Sequence, residues 1–341
     1  NFICGDGPGI KAKRALRGGN GMRKKPMIYS LFFQGSILLL LFLLQFILPT
    51  YHHSSVSKIM VLASYAIGYN FLLGYTGLMS LGHAMFFSSG MYAAGLGIYY
   101  LGLSPLGGLL LGAAFALLIS VLFGLFALRT SGVSFLIVTL MFGQTFYLAI
   151  LYFNEFTFGQ DGFSLAKYLG KLVIFNREYL FSNPDIRYNF ALILLSCYLL
   201  ITTLIMLSPV GRILIAIREN ESRTQLLGYN VFYYKLFALV LSGTLSGIAG
   251  AMHAILFTYV GTTFAEIHHS ISPLLWTLLG GAGTVIGPFL GTGIIFYLID
   301  FISGITSNYQ LVVGVVLVLM IIWFPLGIMG TLRQKWLKWL P

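Results

Sequence analysis

The chain has 341 residues, of which 58% are hydrophobic, 16% aromatic and only 9% charged, and its mean hydropathy is +0.89. No water-soluble domain can cover so much apolar surface, so composition selects an all-α polytopic membrane protein with about 8–10 transmembrane helices, some broken or re-entrant at Gly-rich segments. The net charge of +11 does not signal nucleic acid, because the basic residues stand at the ends of apolar runs, where cytoplasmic loops place them. Two cysteines, Cys4 and Cys197, are too few for a disulfide framework.

Residues 1–25 carry seven Lys and Arg among glycines, a composition that predicts a disordered basic leader. Met22-Arg-Lys-Lys-Pro reads like a natural membrane-protein start, which leaves residues 1–21 open to being an upstream translation or a fusion remnant. Beyond the leader, apolar runs predict spans at 28–49, 57–77, 84–102, 105–128, 132–153, 188–208, 236–259, 271–287, 288–303 and 308–325, the two around Gly287-Pro288 being short enough for half-helices. The membrane domain is therefore expected over 26–330, followed by a short tail, 331–341. With the first residue inside and ten crossings, fifteen of the twenty Lys and Arg fall on inner segments. That bias puts both termini in the cytoplasm. It also puts the largest non-apolar insert, 154–187, outside; four acids and four bases leave that insert near neutral.

One polar island, Gly211–Gly228, interrupts the apolar pattern and holds Arg212, Arg218, Glu219, Glu221 and Arg223. Ser208-Pro209 ends the run before it. Ile213, Leu214 and Ile217 then share a helical face, Glu219 and Arg223 stand four apart in the favourable order, and Leu226-Leu227-Gly228 reads as a glycine-capped helix end. The island, with its flanks a cytoplasmic loop over 209–235, is expected to form a short amphipathic helix. It serves either as a positive anchor that fixes topology or as a rigid charged surface that meets a soluble partner.

Two glycine-rich stretches carry the remaining signals. The first, Leu73–Gly90, sets Gly74, Tyr75, Gly77, Ser80, Gly82 and His83 in apolar surroundings. Irregular backbone at membrane depth is tolerated only against protein or a water-filled path, so this stretch reads as a path-lining break or as close packing through small residues. Thr139 and Gln144, polar groups inside the span that starts near Arg129, are expected beside it. The second, Leu279–Gly293, contains Gly280, Gly281, Gly283, Gly287, Pro288 and Gly291. It lacks the Lys-Ser/Thr of a phosphate loop, so tight packing of a bent helix pair is the reading. His83 stands alone, which favours a structural donor over a titrating or substrate-binding group, and nothing near it supplies a second metal ligand. Asp300, near the outer end of its span, is expected to meet solvent. No HExxH, Ser-His-Asp order or metal-ligand spacing is present around His52-His53 or His268-His269, so no catalytic constellation is expected.

Several segments together resemble the permease subunits of bacterial importers for branched-chain amino acids driven by ATP-binding cassettes. They are Gly68–His83, Arg129-Thr-Ser-Gly-Val-Ser-Phe135 with Val138-Thr-Leu140, Gly159-Gln-Asp-Gly162, Ala216–Tyr229, Tyr234-Lys-Leu236, Ser246-Gly-Ile-Ala-Gly-Ala251, Leu279–Gly293 and Phe324-Pro-Leu-Gly327. The resemblance implies a non-enzymatic transport chain in the bacterial inner membrane that binds no cofactor itself, ATP and Mg being used by separate subunits. It implies as partners a second permease subunit, cytoplasmic ATP-binding subunits, a periplasmic solute-binding protein and the lipid bilayer, with no nucleic acid. Arg212, Arg218, Glu219, Glu221, Arg223 and Gly228 then belong to the coupling loop, and Ser222-Arg223 departs from the two alanines often found there. Urea and short-chain amide permeases look alike in these segments, and a stand-alone channel or secondary carrier is the reading from a different class.

Overall fold

The computed structural model describes residues 30–169, 172–174, 177–179, 181, 183–306 and 308–335; the basic leader and the end of the tail, residues 336–341, lie outside them. The helices are α1 (Ser30–Leu44), α2 (Thr50–Thr76), α3 (His83–Leu101), α4 (Pro105–Ala127), α5 (Val133–Tyr152), a single turn α6 (Asn154–Thr157), α7 (Pro184–Leu207), α8 (Pro209–Glu219), α9 (Glu221–Leu226), α10 (Val231–Phe257), α11 (Ile267–Gly280), α12 (Gly287–Ser303), α13 (Tyr309–Trp323) and α14 (Gly327–Lys335). Five of them, α2, α4, α5, α7 and α10, are long and apolar enough to cross a membrane, and α1, α12 and α13 contain shorter apolar stretches. With α3, whose 19 residues span about 28 Å at 1.5 Å per residue, these elements supply the polytopic bundle expected from composition.

Local sequence sets the helix ends. Ser104 accepts a hydrogen bond from the Gly107 amide at 3.2 Å, with Pro105 in the first helical position of α4. Gly77, at φ 75°, closes α2. There the Leu78 amide reaches back to the Leu72 carbonyl, so the last carbonyls of α2 are satisfied before the chain leaves the helix.

The centre of the bundle is α2, packed against α7, α10, α11 and α12. Its apolar window is 89% buried, against 22% for α5, so α2 is an axial element while α5 turns most of its surface outward. In lipid the hydrophobic effect does not hold one helix to another; packing and hydrogen bonds do. The α3–α10 contact shows this directly. A Cβ placed on Gly90 would stand 2.0 Å from the Gly247 carbonyl oxygen, and one on Gly250 would stand 1.9 Å from that of Phe87. Only glycine lets the two backbones approach so closely. At the periphery, the Gln34 amide of α1 donates to the Thr203 hydroxyl of α7 at 2.7 Å.

The insert after α5 contributes short strands. β1 (Phe163–Ser164) pairs antiparallel with β4 (Tyr259–Val260), Phe163 opposite Val260. β2 (Leu172–Ile174) and β3 (Arg177–Tyr179) form a hairpin. Phe163 packs on Tyr99 of α3 at 5.5 Å, so the start of the insert folds onto the helix ends.

Three expectations about elements are corrected. The span predicted over 271–287 ends at Gly280, because Gly281 and Gly283 take positive φ (118° and 77°) and turn the backbone out of the helix; α12 restarts at Gly287. The span predicted from 57 begins at Thr50 and the one predicted from 236 begins at Val231, since a helix continues into polar residues past its apolar stretch. Asp300, near the end of α12, accepts the Tyr51 hydroxyl at 2.9 and 3.0 Å in an exposed contact.

Candidate functional site

The polar island folds as two helices, where one was expected. Ser208 caps α8 with Pro209 in its first turn. Asn220, extended at φ −160° and ψ 103°, ends α8 and caps α9 by accepting the Arg223 amide at 2.9 Å. An asparagine side chain that satisfies a first-turn amide favours a new helix start over continuation. Glu219 and Arg223 therefore lie on different helices and form no ion pair among the described residues. Glu221 instead meets Lys235 of α10 at 2.6 Å, tying the short helix to the bundle. Leu214 and Ile217 are buried, as their spacing predicts, while Arg212, Arg218, Glu219, Glu221 and Arg223 are exposed. Gly228, at φ 87°, ends the element. Beside it Leu226 and Leu227 are 87% and 74% exposed, a prominent apolar pair next to charge.

Arg218 leaves this surface and reaches into the protein. Its Nη1 donates to the carbonyl of Gly74 in the last turn of α2, and its side chain lies over Gly77. The same turn of α2 carries Asn70, whose side chain is fully buried. Asn70 donates from Nδ2 to the Thr284 carbonyl at 2.9 Å and accepts the Gly283 amide on Oδ1 at 3.0 Å. A Cβ on Gly74 would lie 1.9 Å from Asn70 Oδ1 and 2.4 Å from the Gly283 nitrogen. Three separate pieces of chain therefore meet at one knot: Arg218 of α8, the end of α2 with its Asn70 amide, and the link between α11 and α12.

From the knot the chain runs through the non-helical link 77–82, whose polar groups are taken up by neighbouring helices. Tyr69 donates to the Ser80 carbonyl at 3.0 Å. The Leu81 amide donates to Thr139 Oγ1 of α5 at 3.2 Å, and the Ala84 amide to Ser270 Oγ of α11 at 2.9 Å. Gly82 packs directly on the Thr139 backbone. His83, fully buried, meets Ser242 Oγ of α10 at 2.7 Å, and that hydroxyl donates to the Gly68 carbonyl at 2.6 Å. A hydroxyl has one proton to give, so His83 is the donor to Ser242 and carries its proton on Nε2. The imidazole is a structural cross-link of α2, α3 and α10. Tyr75 is buried, and Gln144 stands half-buried further along α5, outside this network.

The second glycine group lies where α11 and α12 turn back on each other. A Cβ on Gly280 would meet the Gly287 carbonyl oxygen at 1.9 Å, and one on Gly291 the Trp276 carbonyl oxygen at the same distance. Pro288 occupies the first turn of α12, where its missing N–H costs nothing.

Asn70, Lys235, Ser242 and Thr284 were not singled out as site residues from the sequence. The available signal for Asn70 was an amide inside an apolar run, which must find buried partners. Lys235 and Ser242 were lost among ordinary loop and span residues. At the end of the bundle away from the knot, an apolar cavity of about 490 Å³ lies between α3, α4 and α5, lined by residues that include Leu96, Phe115, Phe146 and Phe153. Tyr92, Tyr100 and Thr157 bring hydroxyl-bearing side chains to an otherwise apolar lining that contains no charged side chain. Among the described residues no group of three His, Cys, Asp or Glu could hold a metal ion.

Residues 53–323 match the family described as branched-chain amino acid transport system / permease component. The chain is 30% identical over 298 residues to the high-affinity branched-chain amino acid transport system permease protein LivM of Salmonella typhimurium, a match that covers 79% of this chain and 68% of that protein. The LivM protein of Escherichia coli gives the same identity and coverage. A shorter match, 31% identical over 120 residues, joins 33% of the chain to 37% of the ribose import permease protein RbsC of Haemophilus influenzae. No solved structure matches. A buried axial helix, two glycine-broken links and a charged surface loop wired to both thus accompany a family match across most of the chain, and the protein belongs to the permease components of branched-chain amino acid transport systems.

Proposed function

We propose that this chain is the permease subunit of an ATP-binding-cassette importer that moves branched-chain, hydrophobic amino acids into the cytoplasm of a bacterium. The observation that carries the mechanism is the knot. The exposed face of α8 and α9 is a docking surface for a cytoplasmic ATP-binding subunit, with Leu226 and Leu227 as its apolar anchors and Arg212, Glu219 and Arg223 as its charged rim. Arg218 joins that surface to the end of α2, and Asn70 joins α2 to the 281–286 link. A shift of the docking helices on closure of the partner subunits displaces both glycine-broken links together and switches the pore between outward- and inward-facing states.

The apolar cavity between α3, α4 and α5 is lined by no charged side chain that could pair with an ammonium or a carboxylate. We therefore place the amino-acid path between this chain and a second permease subunit, along the outward-turned faces of the bundle. A periplasmic solute-binding protein delivers the substrate at the end that carries the 154–187 insert. ATP and Mg act on the partner subunits. The relatives described above are named for branched-chain amino acids or ribose, and a urea or amide substrate draws no support from them.

The test is uptake of labelled leucine and labelled urea by cells expressing the complete system, with wild type and Glu221→Lys side by side. Leucine uptake that depends on the ATP-binding subunit, with little urea uptake, is expected. The variant sets two cations against each other at the 2.6 Å contact with Lys235; loss of uptake with the protein still in the membrane is expected. Urea uptake would change the substrate, and uptake without any ATP-binding subunit would end the importer reading.

A further inference from the structure

Next to the knot, a cavity of about 470 Å³ opens between α8, the 282–284 link and α14. Its lining includes Arg218, Gly283, Thr284, Gly330, Arg333 and Gln334. Gly330, Arg333 and Gln334 are spaced three and four apart, so they form one face of α14, and that face is set opposite Arg218. The pocket thus holds two guanidinium groups. Neither forms an ion pair with a carboxylate among the described residues, whereas Lys235, the basic residue nearest the island, has Glu221. One N–H of Arg218 is used by the Gly74 carbonyl; a guanidinium has five.

Two unpaired guanidinium groups around one open cavity recognise a tetrahedral or planar anion, and the planar fork of arginine suits phosphate oxygens in particular. Position selects the source. The pocket sits where α2 ends and α12 begins, at the level where the bundle meets the charged loop and the basic tail. That is headgroup level for the leaflet on that side, and basic pockets between membrane helices at this level hold anionic lipid headgroups.

We propose that the Arg218–Arg333 pocket is a binding site for a phosphate group, supplied by the headgroup of an anionic phospholipid of the cytoplasmic leaflet. Occupancy fills the gap between α14 and α8 and braces the arginine that holds the end of α2. The proposal uses the orientation given above but not the substrate of transport.

The test uses the complete transporter in nanodiscs of phosphatidylcholine, with phosphatidylglycerol titrated in and bound lipid read by native mass spectrometry. Wild type, Arg333→Gln, Arg333→Lys and, as a control for general surface charge, Arg129→Gln are compared. Wild type and Arg129→Gln should retain phosphatidylglycerol equally. Arg333→Gln should bind it roughly fivefold more weakly, the factor that corresponds to about 1 kcal/mol per basic residue at a membrane surface, and Arg333→Lys should recover part of the loss. A parallel titration of inorganic phosphate into pure phosphatidylcholine discs separates the sources. Arg333-dependent phosphate binding without a phosphatidylglycerol preference overturns the lipid assignment. Equal lipid retention by wild type and Arg333→Gln overturns the site. Unchanged lipid retention in Arg333→Gln with loss of the ATP-binding subunit on purification also overturns it, and assigns the pocket to a partner's carboxylate. Because lipid retention is read without transport, a failure of leucine uptake leaves this result standing on its own.

Discussion

Replacing Asn70 by alanine tests the knot. The side chain is fully buried and makes two hydrogen bonds to one link, at 2.9 Å to the Thr284 carbonyl and 3.0 Å from the Gly283 amide. Each such bond contributes about 1 kcal/mol net, and leaving a buried backbone group unpaired adds a desolvation cost of about 1–3 kcal/mol. Gly283 and Thr284 both line the cavity beside Arg218, so water can reach the freed groups and the cost falls toward the lower bound. Hydrogen bonds inside membrane proteins are also weaker than their burial suggests, averaging about 0.6 kcal/mol. The expected loss is therefore about 2 kcal/mol. It is read from unfolding of the purified transporter in mixed micelles by denaturing detergent, alongside leucine uptake. Uptake should fall by more than the loss of folded protein explains, because the 281–286 link no longer follows α2. In a double-mutant cycle with Arg218→Ala, the two effects should be non-additive, since both residues hold the same turn. A stability change within about 0.5 kcal/mol, the range of an ordinary surface substitution, would refute the claim that Asn70 holds the link. Strict additivity would refute the claim that the two residues act together.

Three further outcomes follow from the packing. Ser242→Ala removes the hydroxyl between His83 and the Gly68 carbonyl and should cost about 1–3 kcal/mol of unfolding free energy, whereas His83→Phe together with Ser242→Ala should recover part of it; no recovery would mean the imidazole has another role. Gly250→Val drives a side chain into the Phe87 carbonyl, 1.9 Å from the position of its Cβ, and should sharply lower the yield of folded protein in detergent, while normal yield and melting would contradict the close α3–α10 approach. Tyr51→Phe removes an exposed bond to Asp300 and should change stability by less than about 1 kcal/mol; a larger loss would show that the start of α2 and the end of α12 are held mainly there.

Much of this protein is legible along the chain because membrane helices obey one strong constraint. Backbone groups in lipid must be satisfied internally, so apolar runs of sufficient length are helices whatever surrounds them. Composition alone therefore gives the class, and serine–proline and glycine signals place helix ends at Ser208 and Gly228. The island's apolar side, Leu214 and Ile217, follows from period. Its break at Asn220 does not, because an asparagine inside a helical pattern caps a new helix only when the chain on either side is anchored separately, here by the Glu221–Lys235 contact. Which polar group meets which partner was settled by tertiary structure. Asn70 stands 213 and 214 residues from the groups it holds, His83 stands 159 from Ser242, and Arg218 stands 144 from Gly74. Spacing along the chain carries no information at such separations. The glycines show both sides of this: sequence marks where the backbone can approach or turn, and only the packed bundle decides which backbone it approaches, since a missing side chain has no preference until another helix fills its place.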